Sequence, residues 1–235
     1  MANPKVYIHE LINIVGQNRA KYMHHMTANW GPIGRTERNM LCVGVWGTVG
    51  STERWPETVN LWELEGWQGL AANFRHEFAG PKLQDPSLEQ WWAEAANYRS
   101  GGYDRILVPA QYTPTLEEAI ERGIRGEVYT HETVQVVPGQ AKTYLTMLEQ
   151  EWMPIASRLG LQLVGAYRTA MVNDSEVIVI CAVDTWERWA DIEAAIDDDI
   201  SMGRWRRRIE GVAIDWRAKL LVDSELNPLR TGQIL

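Results

Sequence analysis

The chain has 235 residues, 45% of them apolar, and a formal net charge of -8 at pH 7; it can bury a core but lacks the Lys and Arg density that draws proteins to nucleic acid. No apolar run approaches the roughly eighteen residues of a membrane span, and residues 1–15 lack the basic-then-apolar order of a secretory leader. A cytoplasmic chain that engages neither nucleic acid nor membrane is therefore expected. Cys42 and Cys181 fall in apolar runs without metal or redox spacing, which predicts buried thiols and no metal site.

The first element, Val6-Tyr7-Ile8-His9-Glu10-Leu11-Ile12-Asn13-Ile14-Val15, is a β-branched run fit for a strand. It returns as Val128-Tyr129-Thr130-His131-Glu132-Thr133-Val134-Gln135-Val136-Val137, with five of ten positions identical. Alternation puts Val6, Ile8, Glu10, Ile12 and Ile14 on one face and Tyr7, His9, Leu11 and Asn13 on the other. A helix is expected over 17–29 and its counterpart over 140–158, with Trp30-x-Pro32 and Trp152-x-Pro154 marking the same point in each. Second strands follow around Gly44-Val45-Trp46 and Gly165-Ala166-Tyr167, and third strands over 58–64 and 177–183. Trp67 and Trp186 open matching helices, and Ser87-Leu88-Glu89-Gln90 reads as a capping box for a further helical piece. Fourth strands are expected at Arg105-Ile106-Leu107-Val108 and Lys219-Leu220-Leu221-Val222, with tails that agree through Pro114 and Pro228.

Each copy therefore reads βαββαβ, the split βαβ or ferredoxin-like unit. The expected fold class is α+β, two tandem ferredoxin-like repeats forming a pseudo-dimeric α/β barrel. The first repeat would occupy 1–109 and the second 127–235, with 110–126 as a linker carrying a short helix.

Gly44-Val45-Trp46-x-Thr48, Asn60-Leu61-Trp62-Glu63-Leu64, Leu107-Val108-Pro109, Thr113-Pro114, Gly126-x-Val128-Tyr129 and Val137-Pro138-Gly139 together resemble NIPSNAP-type modules of the dimeric α/β barrel superfamily. The resemblance spans nearly the whole chain and implies the fold and a cavity; it brings no agreed reaction, and it departs at Asn60, where the family often has His. In the wider superfamily, polyketide cyclases and cofactor-free monooxygenases use a His near the end of the second helix, and the cyclases add one on the first strand. The segment Leu70 to Phe78 around His76 is similar to the former and Ile8-His9 to the latter, although the second nearby His of such cyclases is missing.

On this reading His76 is a candidate general base, with Ala195 at its place in the second copy, because an imidazole exchanges protons near neutral pH. The alternative is an exposed helix-end His at a negative dipole end. His9 and Tyr7 would polarise a substrate carbonyl, and Tyr22, His25, Trp30, Trp46, Trp62 and His131 would line the site, unless they serve only as satisfied core residues. Of His24 and His25, about 100° apart on a helix, one can enter a cavity while the other meets solvent. Glu10 and Glu132 are expected to pair with an arginine of their own repeat. Arg204, Arg206, Arg207 and Arg208 follow Asp197, Asp198 and Asp199 closely and read as a compensated surface.

The leading expectation is a cofactor-independent enzyme using His acid/base chemistry on a small, largely apolar carbonyl or enol compound, of lyase, isomerase, cyclase or monooxygenase type. The alternatives are a haem enzyme with a single axial His and a non-catalytic ligand-binding or scaffold protein. Trp55 and the apolar tail at Leu235 would suit a homodimer.

Overall fold

The computed structural model describes residues 3–80, Lys82 and 85–235. In chain order it contains β1 (Val6–Ile14), α1 (Arg19–His24), α2 (Gly31–Arg38), β2 (Met40–Thr48), β3 (Glu57–Leu64), α3 (Gly66–Glu77), α4 (Glu89–Ala95), β4 (Arg99–Pro109) and α5 (Leu116–Glu121). There follow β5 (Val128–Val136), α6 (Ala141–Met147), α7 (Met153–Leu159), β6 (Gln162–Thr169), β7 (Glu176–Val183), α8 (Trp186–Ile196), α9 (Ile200–Arg208), β8 (Ala213–Asp223) and α10 (Pro228–Thr231). The hydrogen-bonded strand order, β1-β3-β2-β8-β5-β7-β6-β4, closes on itself, so the fold class is the expected α+β barrel of two βαββαβ repeats.

The residues group into two compact units, Pro4–Ile106 with Asp223–Leu235, and Leu107–Val222 with Asn3. In the first, β3 pairs antiparallel with both β1 and β2. In the second, β7 pairs with β5 and β6, and β5 also pairs with β8. The apolar face of β1 packs on the first helical run, bringing Val6, Ile12 and Ile14 against Tyr22, Met23 and Met26. Val134 and Val136 of β5 meet Tyr144, Leu145 and Leu148 in the same way.

The first helical run does not stop at residue 29. A π-helical segment, His25–Trp30, joins α1 to α2, and the run continues to Arg38. Pro32 lies within the first two positions of α2, where its missing N–H costs little, and the wider π turn absorbs the break. The second repeat repeats the device with Leu148–Trp152 ahead of Pro154. Left-handed residues end both runs, Asn39 at φ 48° and Gly160 at φ 93°. The helical piece near residue 87 exists, but its cap is Asp85, whose carboxylate accepts from Ser87 N and Oγ. Both fourth strands begin six residues earlier than expected: Ser100–Asp104 carries no apolar alternation to announce it, while Ile214–Ala218 does alternate but is exposed throughout.

The Gly-x-aromatic motif of the second strands has a steric origin. Register slips between Cys42 and Gly44, and between Leu163 and Gly165, and the aromatic two residues on folds back over the glycine. A Cβ on Gly44 would lie 2.1 Å from the Trp46 ring, and one on Gly165 2.0 Å from the Tyr167 hydroxyl. Beside each bulge a polar side chain bridges the strand. In one unit Asn227 Oδ1 accepts from Val45 N at 2.7 Å; in the other Thr113 Oγ1 donates to Ala166 O at 2.7 Å and accepts from Ala166 N at 3.0 Å.

Gly44→Ala should therefore destabilise the fold by at least about 2 kcal/mol, since the buried Trp46 ring must leave its place. Gly203→Ala, in α9 with only the Arg207 guanidinium within 4 Å, should instead be neutral or stabilise by up to about 1 kcal/mol. Equilibrium denaturation of the two variants checks both signs.

Candidate functional site

Glu10 is the lone charged residue among the apolar positions of the helix-facing side of β1. The register sets Asn60 opposite Glu10, and Trp62 opposite Ile8. Asn60 Nδ2 donates to Glu10 Oε2 and to the Tyr22 hydroxyl oxygen, each at 2.8 Å, and Trp62 Nε1 donates to the same Glu10 oxygen at 2.8 Å. Asn60 Oδ1 is buried without a partner among the described residues. Asn60 and Tyr22 are 0% exposed and Trp62 1%, whereas Glu10 keeps partial exposure.

Burial is the main cause that raises the Glu10 pKa, and the Asp104 carboxylate adds to it; together they outweigh the Asn60 and Trp62 bonds and the opposing charge of Arg99. Burial, with the Glu10 charge next, also pushes the Tyr22 phenol up. Tyr22 is therefore a hydrogen-bond donor at neutral pH.

Beside this group stands an aromatic cluster. The His25 ring stacks on Trp91 at 4.8 Å and meets the edge of Tyr98 at 5.8 Å. Trp91 touches Trp30 at 4.9 Å and Trp92 at 4.7 Å, and the Arg99 guanidinium lies 4.8 Å over Trp92. His25 Nδ1 sits 3.0 Å from Asn29 Nδ2 and 3.7 Å from Glu94, while Nε2 is buried without a partner among the described residues. Burial lowers the His25 pKa against the pull of Glu94, so the imidazole is neutral at neutral pH. Tyr22, Trp30 and Trp62 share one apolar cluster, with Trp91, Trp92 and Tyr98 packed against it, which places the carboxyl's partners and the aromatic rings in one neighbourhood.

The structure thus joins Tyr22, His25, Trp30 and Trp62 of the expected residues. It does not bring the others to them. His76 ends α3 with its side chain 48% exposed, its Nε2 3.0 Å from Asp85 Oδ2. That oxygen also accepts from Arg38 Nη2 at 3.0 Å, and Arg38 reaches Asn73 Oδ1 at 3.2 Å. Tyr7 donates to Glu63 at 2.8 Å. His9 and His131 are buried on the strand faces opposite Glu10 and Glu132, and Trp46 is wholly buried over Gly44. Of the histidine pair, His25 is inside and His24 exposed.

The expected ion pair of Glu10 with an arginine of its repeat gives way to an amide and an indole, with Arg99 acting only through space. One signal could have found the site: Glu10 interrupts an otherwise apolar strand face, and Asn60 does the same on β3. Trp91, Trp92 and Tyr98 had no such mark. Among the described residues no group of His, Cys, Asp and Glu could hold a metal, and no helix is long and apolar enough to cross a membrane.

No family model and no curated protein matches the chain. Solved structures do. A Lactobacillus acidophilus NCFM protein provisionally assigned as a monooxygenase is 12% identical over 94% of this chain and 95% of its own, at a TM-score of 0.62. An anthrone oxidase-like protein is 14% identical over 95% and 93%, at 0.63. The likeness is one of fold. A NIPSNAP family protein of unknown function from Agrobacterium tumefaciens str. C58 is 23% identical over 45% of this chain and 95% of its own, at 0.40.

The electrostatic origin of the Glu10 shift is open to test by carboxyl NMR titration. Asp104→Asn should lower the Glu10 pKa by removing a negative charge, and Trp62→Phe should raise it by removing a donor. Since the folded pKa lies above the unfolded one, the group's stabilisation is present at low pH and is lost as pH rises through the folded value. Glu10→Gln should therefore gain stability relative to the parent as pH rises.

Proposed function

We propose that the chain is a cofactor-independent enzyme of monooxygenase type, acting on a small, largely apolar aromatic ketone or its enol, with Glu10 as the base. The observation that carries this reading is the Glu10 carboxyl on an apolar strand face, held at one oxygen by two buried donors, one of which also bonds the Tyr22 hydroxyl. A carboxylate whose pKa is moved toward neutrality is a stronger base at working pH. The Trp30, Trp91 and Trp92 rings suit a flat apolar substrate.

Glu10 takes a proton from the methylene that lies across the central ring from the carbonyl, leaving the enolate. The enolate passes an electron to dioxygen and the two radicals join, forming a C–O bond; the peroxide anion takes the proton back from Glu10. Glu10 then removes the second C–H proton as the O–O bond breaks, and hydroxide leaves with that proton as water. The sum is a methylene and dioxygen to a ketone and water.

A haem enzyme is the second reading, favoured by one observation: His25 Nε2 is buried and unpartnered among the described residues. His25 would be the axial ligand and haem would supply oxygen activation. A Soret band on titration with haem, lost in His25→Ala, supports it; a titration without one removes it.

With a hydroxylated anthrone as substrate and an oxygen electrode as readout, Glu10→Gln should lower kcat by about two orders of magnitude or more. The rate of the parent should fall as pH falls through the Glu10 pKa, because the base becomes protonated. His76→Ala should stay within a few-fold of the parent. A loss of about two orders at His76 with Glu10→Gln unaffected would move the base to His76.

A further inference from the structure

The solvent side of α3 carries an apolar stripe. Trp67, Phe74 and Phe78 are 51%, 36% and 52% exposed, and those two phenylalanines are the only ones in the chain. With Ala71, also exposed, they stand at spacings of four, three and four residues, which at 100° per residue fall within an arc of about 60°. Phe78 follows the last residue of the helix, but its N–H still donates to Phe74 O at 3.0 Å and the two rings lie 6.2 Å apart. The stripe therefore runs unbroken past the helix end. Leu70 in the first core and Asn73 beside Arg38 are the buried positions that hold α3 to its unit.

The repeat does not require this stripe. α8 opens with Trp186 as α3 opens near Trp67, and the positions that follow at the same spacings are Ala190, Glu193 and Asp197. Carboxylates stand there in place of both phenylalanines, and Trp186 rests edge-on against Trp189 of its own helix, the ring centroids 6.0 Å apart. A single aromatic left in water needs no explanation, but three in a line on one helix mark a surface that something covers.

The order of sizes along the stripe indicates the occupant. A two-fold axis midway between Ala71 and Phe74 lays α3 of a second copy alongside in the antiparallel sense, exchanging position 67 with 78 and 71 with 74. Trp67 of one copy then meets Phe78 of the other, and Phe74 drops into the gap over Ala71. Large meets small at the centre and ring meets ring at the ends, so the stripe is its own complement, the condition for an isologous contact. The flank agrees, since Arg75 of one copy falls near Gln68 of the other and no like charges oppose. The same operation on α8 would set Trp186 against Asp197 and Ala190 against Glu193. At roughly 150–250 Å² for a whole aromatic side chain, the three exposed fractions amount to roughly 200–350 Å² per copy. That is the apolar centre, not the whole, of the roughly 800 Å² per partner in a standard interface, and the net charge of -8 on each copy opposes association. The contact is therefore reversible rather than obligate.

We propose that this face of α3 is a homodimer interface, in which two copies of the chain pair α3 with α3 antiparallel about a two-fold through the Ala71 and Phe74 midpoint. The surface is not the tail that the sequence pointed to, because Leu235 is folded back against the first core. The pairing stands whether or not Glu10 is a base.

The test is sedimentation velocity of the full chain from about 1 to about 100 μM. The parent should pass from monomer to dimer within that range, and at lower concentration when added salt screens the charge of the two copies. Phe74→Lys and Ala71→Glu should each weaken association by about thirtyfold or more, the order of losing an interface anchor. Mixed in equal amounts, the two variants should pair again, because the two-fold sets the new carboxylate against the new ammonium at one contact and leaves Phe74 over Ala71 at the other. Recovery in the mixture also shows that neither variant was misfolded. Trp186→Lys, at the matching place on α8, should leave association unchanged. A parent that stays monomeric, a dimer indifferent to both α3 variants, or a mixture that fails to pair would overturn the proposal. A monomeric parent that co-sediments with phosphatidylcholine vesicles, and ceases to in Phe74→Lys, would assign the face to lipid instead.

Discussion

The first repeat depends on one costly arrangement, a carboxyl placed on the apolar face of β1. Removing a carboxylate from water costs several kcal/mol after relaxation, and two neutral donors at 2.8 Å return only part of it. The raised Glu10 pKa is the residue of that imbalance. A strand face selected for stability alone would carry a valine or isoleucine here, as at Ile8 and Ile12. Asn60 and the buried Tyr22 then follow as consequences, since a carboxyl in this place requires donors and the donors require partners of their own. The strand pairing, the helical run and the bulge at Gly44 hold these side chains in register.

How much of this could be read from the residues depends on what each part rests on. The repeat, the strands and the helix-facing alternation were legible because period-two burial writes itself into the order of apolar residues. The tail equivalence around Pro114 and Pro228 was legible too, though not its cause, the polar bridges from Thr113 and Asn227 to the second strands. The full length of the first helical run was hidden by Pro32, which normally marks a boundary and is here absorbed by a π turn. The start of β4 was hidden by Gly101 and Gly102, which look like a loop, although Gly102 lets the strand pass close to β1.

For the site, histidine chemistry was the visible signal, and it pointed to His76, a residue the structure pairs with Asp85 and Arg38 at the exposed end of α3. Arg38 is buried and needs acceptors, so that cluster has a structural purpose of its own: it fastens the segment before α4 to α2 and α3. The carboxyl and amide at Glu10 and Asn60 were equally present as letters, but their meaning lay in cross-strand register, which pairs residues fifty positions apart. Trp91 and Trp92 belong to a short helix without a strong pattern and Tyr98 to the turn after it, and only the tertiary fold carries them to His25.

The two repeats separate what the scaffold requires from what a site requires. Glycine under an aromatic ring, a π turn ahead of proline, a left-handed residue at the end of the run and a polar bridge to the bulged strand recur in both copies. Each answers a steric or hydrogen-bonding demand of the backbone. The lining of the glutamate does not recur: an amide becomes a valine, an imidazole a methionine, and the indole moves from the third strand to the fourth. Backbone demands cannot explain that divergence, because the backbone is the same. The indole donor to the glutamate is nonetheless present in both copies, from the third strand in the first and the fourth in the second, so each buried-face carboxyl meets the same need for a donor by a different route.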